Sequence, residues 1–258
     1  MTDRTTVLVT VVIIVLIIIC TFYLCSGKEK MTNGPQVYYY PSGTSKSPTV
    51  GFLAGVHGNE PAGSIALQEL ISFGWFDQAA KEYGVNIIVV PRANESGLQK
   101  GVRWTNNILH PDLNRSFNSE SGDTPLAGDL LEIFKSANLI VDFHEGWGWH
   151  RINKSSIGST VSPSQTNQGL SDEIGRTVTN TLNNDISNIS QYFTFLPEIS
   201  CDIRSALSCY MELANREYIL VETTGQKNVQ PMSIRTDQVQ KTVKTVLSKI
   251  MSNQRSVY

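Results

Sequence analysis

The feature that most constrains the fold is a set of short apolar runs that lack the polar alternation of a half-exposed strand. Patterns with helical periodicity separate these runs. Strands buried on both faces read as continuous apolar runs, and strands that alternate with helices favour a sheet covered on both sides. We therefore predict an α/β fold of three α/β/α layers with a mostly parallel, mixed central sheet. The predicted strands cover residues 49–56, 86–91, 138–143 and 218–223, and the predicted helices cover 61–73, 126–136, 170–182, 205–215 and 236–251.

The N-terminus differs from the rest of the chain, because residues 7–25 form an apolar run without a charge. At about 1.5 Å per helical residue this run spans the roughly 30 Å core of a bilayer. It is long for a signal peptide and no small-residue cleavage site follows it, so we predict an uncleaved single-pass membrane anchor. Basic residues on its two sides are nearly balanced, which leaves the side of the membrane open. The predicted organisation is a tail (1–6), the anchor, a linker (26–48) and one globular domain (49–258); residues 36–40 of the linker could form a short edge strand.

Composition excludes one class of partner. The formal net charge is −2, and no basic stripe is present. Nucleic-acid binding needs a basic footprint, so we expect no such partner. Cys201 and Cys209 could form a disulfide in an oxidising compartment or remain two thiols in a reducing one.

Polar residues follow each predicted strand. In open α/β sheets, binding sites form at the carboxyl ends of the strands. A site is therefore predicted where these ends meet. The polar residues are His57 and Glu60 after the first strand, Arg92 and Asn94 after the second, His144 and Glu145 after the third, and Glu222 at the end of the fourth.

Three of these residues are suitable metal ligands. His57 and Glu60 stand three apart across a turn that contains glycine, which can aim both side chains at one point. His144, from a neighbouring strand, is the candidate for a third ligand. Catalytic zinc sites usually have three protein ligands and a water molecule. We expect one Zn²⁺ per chain, although a His-x-x-Glu pair by itself is often a chance match.

The remaining polar residues suggest roles toward a substrate. Arg103 could polarise a carbonyl oxygen, and Asn114 beside Arg115 could hold a carboxylate. Glu222 could act as general base and then general acid. The alternatives are a solvated loop for the arginines and a strand-end glutamate that reaches solvent.

Four segments, HGNE, DLNRSF, DFHE and VETTGQ, occur in an order that resembles the zinc carboxypeptidase superfamily. The arginine before DLNR and the Gly-Gln after the last glutamate look most like its succinylglutamate desuccinylase/aspartoacylase branch. The resemblance covers about residues 49–226. It implies zinc ligation by His57, Glu60 and His144, a substrate-carboxylate grip by Asn114 and Arg115, carbonyl stabilisation by Arg103, water activation by Glu222, and orientation of His57 by Asp112.

The function implied is a zinc-dependent hydrolase that cleaves an amide bond next to a free carboxylate, by deacylation of a small N-acyl amino acid. The alternatives are a metallocarboxypeptidase that trims peptide C-termini and a catalytically silent ligand-binding domain on a membrane anchor. The sequence departs from the branch after Glu222, where the chain reads as one helix instead of a further β-rich region.

Several residues near these motifs stay undecided. Glu145 and His150 could contact substrate or adjust the zinc site, or could be ordinary loop residues. Tyr192 and Tyr210 are possible substrate contacts, and His110 is expected at the surface.

Overall fold

A seven-stranded sheet forms the centre of the computed structural model, which describes residues 34–44, 46–226 and 229–255. The strands are β1 (Tyr38–Tyr40), β2 (Thr49–Ala54), β3 (Asn86–Val90), β4 (Leu139–Trp147), β5 (Thr160–Pro163), β6 (Thr194–Phe195) and β7 (Tyr218–Gln226). Their spatial order is β1-β3-β2-β4-β7-β5-β6. The central strands β3, β2, β4 and β7 are parallel, whereas β1 pairs antiparallel with β3, and β5 antiparallel with β7.

Helices cover both faces of the sheet. They are α1 (Ala62–Ser72), α2 (Trp75–Tyr83), α3 (Glu95–Lys100), α4 (Pro125–Ile133), α5 (Leu170–Asn183), α6 (Leu207–Leu213) and α7 (Met232–Arg255), with 3₁₀ turns at Leu113–Arg115 and Ile189–Gln191. One apolar core lies between the sheet and α1, α2, α5 and α7. A second core lies between the opposite face and α4 and α6. The predicted three-layer α/β fold with a mixed sheet is therefore confirmed.

Local sequence explains where the helices begin and end. Pro61 lies at the N-cap of α1. Thr124 caps α4, where its hydroxyl accepts a hydrogen bond from the Ala127 amide, and Pro125 fits the first turn. Gly74 and Gly84 bound α2 with left-handed backbone angles that glycine adopts readily.

The strands that carry the site are longer than predicted. β4 continues past residue 143 to Trp147, and β7 continues past residue 223 to Gln226. The two strands keep pairing beyond the apolar runs, so backbone hydrogen bonding maintains them where hydrophobic pattern no longer signals a strand. His144 therefore lies within β4 rather than after it, where it pairs with Glu222 of β7.

Short or weakly patterned elements were missed by the sequence prediction. These are α2, α3, β5 and β6. The helix α3 has few residues on which periodicity can act, and the two strands are only a few residues long.

The N-terminal part of the described chain adds an edge strand to the sheet. The suggested edge strand is confirmed as β1, so the sheet extends into the predicted linker, and Val37 and Tyr40 are buried there. The predicted anchor at residues 7–25 lies outside the described residues. Within the part that the structure describes, no helix has both the length and the apolar character needed to cross a bilayer.

Candidate metal centre

The loop after β2 carries His57 and Glu60. The Glu60 amide donates to the His57 carbonyl, which closes a tight turn. Gly58 lies in this turn, and a Cβ at Gly58 would be 2.0 Å from the backbone of Gly97 in α3. Glycine is therefore required for the loop to pack against this helix. The His57 Nδ1 and Glu60 Oε1 atoms are 2.9 Å apart.

His144 completes a three-residue cluster from the neighbouring strand β4. Its Nδ1 atom lies 2.9 Å from Glu60 Oε2 and 3.1 Å from His57 Nδ1. All three residues are buried, and their candidate ligand atoms lie within 4.8 Å of one another. The structure thus brings together the three residues that the sequence suggested as ligands.

The cluster fits a divalent metal ion. A tetrahedral zinc ion at about 2.0–2.1 Å from its ligands separates them by roughly 3.3 Å, close to the observed spacings of 2.9–3.1 Å. Two imidazoles and one carboxylate are also a usual donor set for catalytic zinc. Two facing imidazole nitrogens need a proton or a cation between them.

A carboxylate stands behind each histidine. Asp112 Oδ1 lies 3.3 Å from His57 Nε2, and Asp142 Oδ2 lies 3.2 Å from His144 Nε2. The Tyr218 hydroxyl donates to the same Asp142 oxygen at 2.7 Å. Carboxylates in this position fix ring orientation and increase the basicity of a metal-binding histidine. Asp112 was expected to orient His57; Asp142 was missed, although its spacing of two from His144 in a strand places both on one face.

These acids favour positive charge at the cluster. Burial alone would lower the pKa of His144, but Asp142 and Glu60 outweigh it and hold that pKa well above its ordinary value. Burial alone would raise the pKa of Glu60, yet the two histidines keep it below its ordinary value. A cation is therefore stabilised here, either as a proton or as a metal ion.

Arg103 reaches the cluster from the loop after α3. Its Nε donates to Asp112 Oδ2 at 2.9 Å, and its Nη1 lies 3.7 Å from Glu60 Oε1. Asn94, the cap of α3, holds this loop by donating to the Arg103 carbonyl. Arg92 instead pairs with Glu95, so of the two polar residues after β3 only Asn94 supports the site, and it does so indirectly.

A cavity of about 410 Å³ opens over the cluster. Glu222 lines it from β7, and its Oε2 atom is buried without a hydrogen-bond partner among the described residues. Burial, reinforced by the charges of Glu60 and Asp142, raises the pKa of Glu222 against the opposite influence of His144. A buried carboxylate oxygen without a partner is costly, which points to a bound molecule as its partner.

Asn114 and Arg115 line the same cavity. Asn114 Oδ1 accepts from the Leu207 amide at the start of α6, which leaves the amide nitrogen as the available group. Arg115 Nη1 donates to the Asn114 carbonyl at 2.6 Å. The pair is therefore held in place and offers donors suited to a carboxylate.

A further part of the cavity wall was not expected from the sequence. It is the segment 196–203, called the acidic wall here because Glu198 and Asp202 are among the residues that line the cavity. Cys201 is joined by a disulfide to Cys209 in α6, so of the two states left open for these cysteines the structure has the bonded one. Irregular loops have no periodicity, and no sequence signal identifies this wall.

The residues that the sequence left undecided do not line the described cavity. Glu145 points to the other face of β4, and His150 Nδ1 bonds to the Ser156 carbonyl. Tyr192 and Tyr210 do not appear in the cavity wall that the structure describes. His110 is exposed, as expected.

Comparison with known proteins agrees with this site. The family model "Succinylglutamate desuccinylase/Aspartoacylase catalytic domain" matches residues 46–148, less than half of the chain. That range contains the three clustered residues, Arg103, Asp112 and the Asn114–Arg115 pair, but not Glu222. No curated protein matches the sequence.

Solved structures share the fold at low sequence identity. Product-bound cell shape determinant protein Csd4 from Helicobacter pylori has a TM-score of 0.68 and 15% identity, over 84% of this chain and 55% of that one. The present chain thus spans about half the length of Csd4. A candidate metallopeptidase from Shewanella amazonensis SB2B has a TM-score of 0.63 and 19% identity, over 90% of each chain. A second, from Shewanella denitrificans OS217, has a TM-score of 0.62 and 16% identity, over 89% of each.

The fold and the arrangement of the three donors are consistent with the zinc-carboxypeptidase resemblance, since the structures that share the fold include a D,L-carboxypeptidase and candidate metallopeptidases. The matched family model, which describes a catalytic domain, supports the succinylglutamate desuccinylase/aspartoacylase branch of that resemblance. Together the comparisons confirm the resemblance and support a hydrolase.

The metal assignment predicts the zinc content of single variants. The purified chain should bind about one equivalent of zinc, since the residues that the structure describes contain one three-donor cluster. His57→Ala and His144→Ala should each lose it, because two remaining protein ligands hold zinc weakly. Elemental analysis after reconstitution and desalting measures this. The matched control is His110→Ala, an exposed histidine outside the cluster, which should keep the parent stoichiometry; equal zinc in all variants would contradict the assignment.

Proposed function

We propose that this chain is a zinc-dependent hydrolase that cleaves an amide bond next to a free carboxylate. One observation carries the proposal: a single cavity contains the three-donor cluster, the unpartnered carboxylate of Glu222 and the Asn114–Arg115 pair. These are a metal site, a proton acceptor and a carboxylate grip. Amide hydrolysis next to a carboxylate needs all three.

The metal would be held by His57, Glu60 and His144. When bound, zinc supplies Lewis-acid polarisation of the scissile carbonyl and a more acidic water molecule. The neutral form of each imidazole is needed for ligation, and Asp112 and Asp142 would stabilise that ligated state by accepting from the outer ring nitrogens.

Glu222 would move the proton. Glu222 lies in β7, where it pairs with His144 of β4, and it lines the cavity. It would accept a proton from the attacking water as the carbon–oxygen bond forms. As the carbon–nitrogen bond breaks, it would return that proton to the leaving amine, so that one carboxylate serves both steps.

Arg103, Asn114 and Arg115 would orient the substrate. Arg103 Nη1 is within 3.7 Å of Glu60 Oε1, close enough to the cluster to stabilise negative charge on the carbonyl oxygen. Arg115 and the amide nitrogen of Asn114 would bind the substrate carboxylate. Charge-assisted bonds of this type are about twice as strong as neutral ones.

Deacylation of an N-acyl amino acid is the first candidate reaction. The match of the succinylglutamate desuccinylase/aspartoacylase catalytic domain supports it. The cavity of about 410 Å³ has room for a small acylated amino acid.

Trimming of peptide C-termini is the second candidate, and the charge of the cavity wall favours it. Glu198 and Asp202 line the cavity, where they would repel the additional carboxylates of an N-acylated acidic amino acid. A peptide whose terminal side chain is neutral or cationic meets no such repulsion. Csd4, which has a similar fold, has been solved with a bound tripeptide and is described as a D,L-carboxypeptidase.

A catalytically silent binding domain is the third possibility. The presence of all three ligand candidates and of Glu222 in one cavity argues against it. We further propose that residues 7–25 anchor the hydrolase in a membrane, because the run is long and uncharged enough to span one.

Glu222→Gln tests the acid–base role. It should lower kcat roughly 10²–10⁴-fold, because the amide cannot accept the proton, while zinc content stays that of the parent. Both proteins are assayed with a panel of N-acyl amino acids and peptides, which also shows which candidate reaction the parent performs. Glu217→Gln is a matched control, since Glu217 is a buried carboxylate that bonds to Thr166 and Ser171 away from the cavity. Equal activity of Glu222→Gln and the parent would exclude the role.

Arg115→Met tests the carboxylate grip. Loss of a charge-assisted hydrogen bond costs about 1.5–3 kcal/mol, so KM should rise roughly 10–100-fold with little change in kcat. The control is the same substrate with an amidated carboxylate, which the parent and the variant should hydrolyse equally poorly. Unchanged KM for the free carboxylate substrate would contradict the assignment.

Neutralising the acidic wall tests its effect on selectivity. The double variant Glu198→Gln/Asp202→Asn should raise kcat/KM for N-acylated acidic amino acids about tenfold relative to peptides, because two repulsive charges are removed. Glu132→Gln, an exposed carboxylate outside the cavity, is the control and should leave the ratio unchanged. A ratio that is the same in all three proteins would show that the wall does not select by charge.

A further inference from the structure

A buried ion pair lies on the face of β4 opposite the metal cluster. Glu145 is 1% exposed, Arg235 in the first turn of α7 is 6% exposed, and their side chains are in contact. Removing two charges from water costs free energy that the attraction between them offsets only when the geometry is good. The contribution of this ion pair therefore depends on which parts of the structure it holds in place.

Glu145 is bonded to the metal loop in two ways. Its Oε1 atom accepts from the Ala62 amide at 2.6 Å, two residues after Glu60. Its backbone amide donates to Glu60 Oε2 at 3.0 Å. One residue thus fixes both the carboxylate of Glu60 and the backbone that follows it.

Arg235 holds the Glu145 side chain from the other side. Its Nη1 donates to Glu145 Oε2, and its Nε donates to the Gln230 carbonyl at 3.1 Å. The planar guanidinium is suited to two such bonds in fixed directions, which a lysine ammonium does not reproduce. The arginine therefore connects the start of α7 to the loop that carries Glu60.

Gly225 leaves the space that this arrangement needs. A Cβ at Gly225 would lie 1.5 Å from Glu145 Oε2 and 2.6 Å from Arg235 Nη1. The next residue, Gln226, donates from Nε2 to Glu60 Oε1 at 3.0 Å. Each oxygen of the Glu60 carboxylate thus has its own donor. One donor is the backbone amide of Glu145, a member of the ion pair, and the other is the side chain of Gln226, which follows Gly225.

We propose that Arg235 is a positioning residue of the metal centre, which acts through Glu145 to keep Glu60 in the ligand position. The proposal rests on the zinc site proposed above and extends it to a residue of the C-terminal helix. Loss of an outer partner of a metal ligand typically lowers metal affinity about 10–100-fold. Arg235→Met should weaken zinc binding by this amount.

Zinc affinity of the full-length apoprotein, measured by competition with a chelating dye, is the main readout. The absorption spectrum of the cobalt-substituted protein is the second, because it reports ligand geometry and does not respond to stability alone. Arg216→Met is the matched control. Arg216 donates to the carbonyls of Phe134, Lys135 and Ala137 and has no contact with the cluster, so its loss should lower the melting temperature and leave affinity and spectrum unchanged.

Gly225→Ala provides a second variant that keeps both charges and displaces the contact between the Glu145 carboxylate and Arg235 Nη1. Weakened zinc binding with an altered cobalt spectrum in Arg235→Met and Gly225→Ala, but not in Arg216→Met, supports the proposal. Parent affinity and spectrum in a folded Arg235→Met protein overturn it. If Arg235→Met does not fold, Gly225→Ala replaces it: weakened zinc binding with an altered cobalt spectrum supports the proposal, and parent affinity and spectrum overturn it. A parent protein that binds no zinc overturns the metal centre itself, and this result differs from a failure of Arg235 alone.

Discussion

Two imidazole nitrogens and a carboxylate meet at one buried point, and the arrangement of the surrounding residues depends on the charge at that point. The Nδ1 atoms of His57 and His144 are 3.1 Å apart, and each is 2.9 Å from an oxygen of Glu60. Facing nitrogen lone pairs repel unless a proton or a cation lies between them. Asp112 and Asp142, behind the two rings, add negative charge. The centre is thus electrostatically a cation site.

Strand alternation lets β4 serve this centre from both of its faces. Asp142 and His144 are two residues apart and lie on the same face of β4, whereas Glu145 points to the opposite face. Successive side chains of a strand alternate in this way. One strand therefore supplies a ligand, the carboxylate that orients it and the support for Glu60. A shift of one residue in the pairing of β4 would exchange these roles and remove the centre.

The sequence was sufficient for the parts of the site that depend on order along the chain. His57, Glu60 and His144 follow or extend apolar runs, and the parallel sheet brings the ends of such runs together. Asp142 was missed because an acid within an apolar run signals nothing until its partners are known, and Tyr218 lies 76 residues away. The helix α3 is too short for periodicity to be clear. The acidic wall has no regular structure, so only the folded chain places it beside the metal centre.

The carboxylate grip (Asn114 and Arg115) and the acidic wall (residues 196–203) are both attached to the same short helix, α6. The carboxylate grip is tied to α6 because Asn114 accepts a hydrogen bond from the Leu207 amide. The acidic wall is tied to α6 by the disulfide between Cys201 and Cys209. A loop without regular structure gains conformational entropy when it opens and has few backbone hydrogen bonds that oppose the opening, so a covalent bond is an effective way to hold it. Since the grip and the wall are fixed to one element, α6 holds the basic and the acidic parts of the cavity wall at a constant spacing.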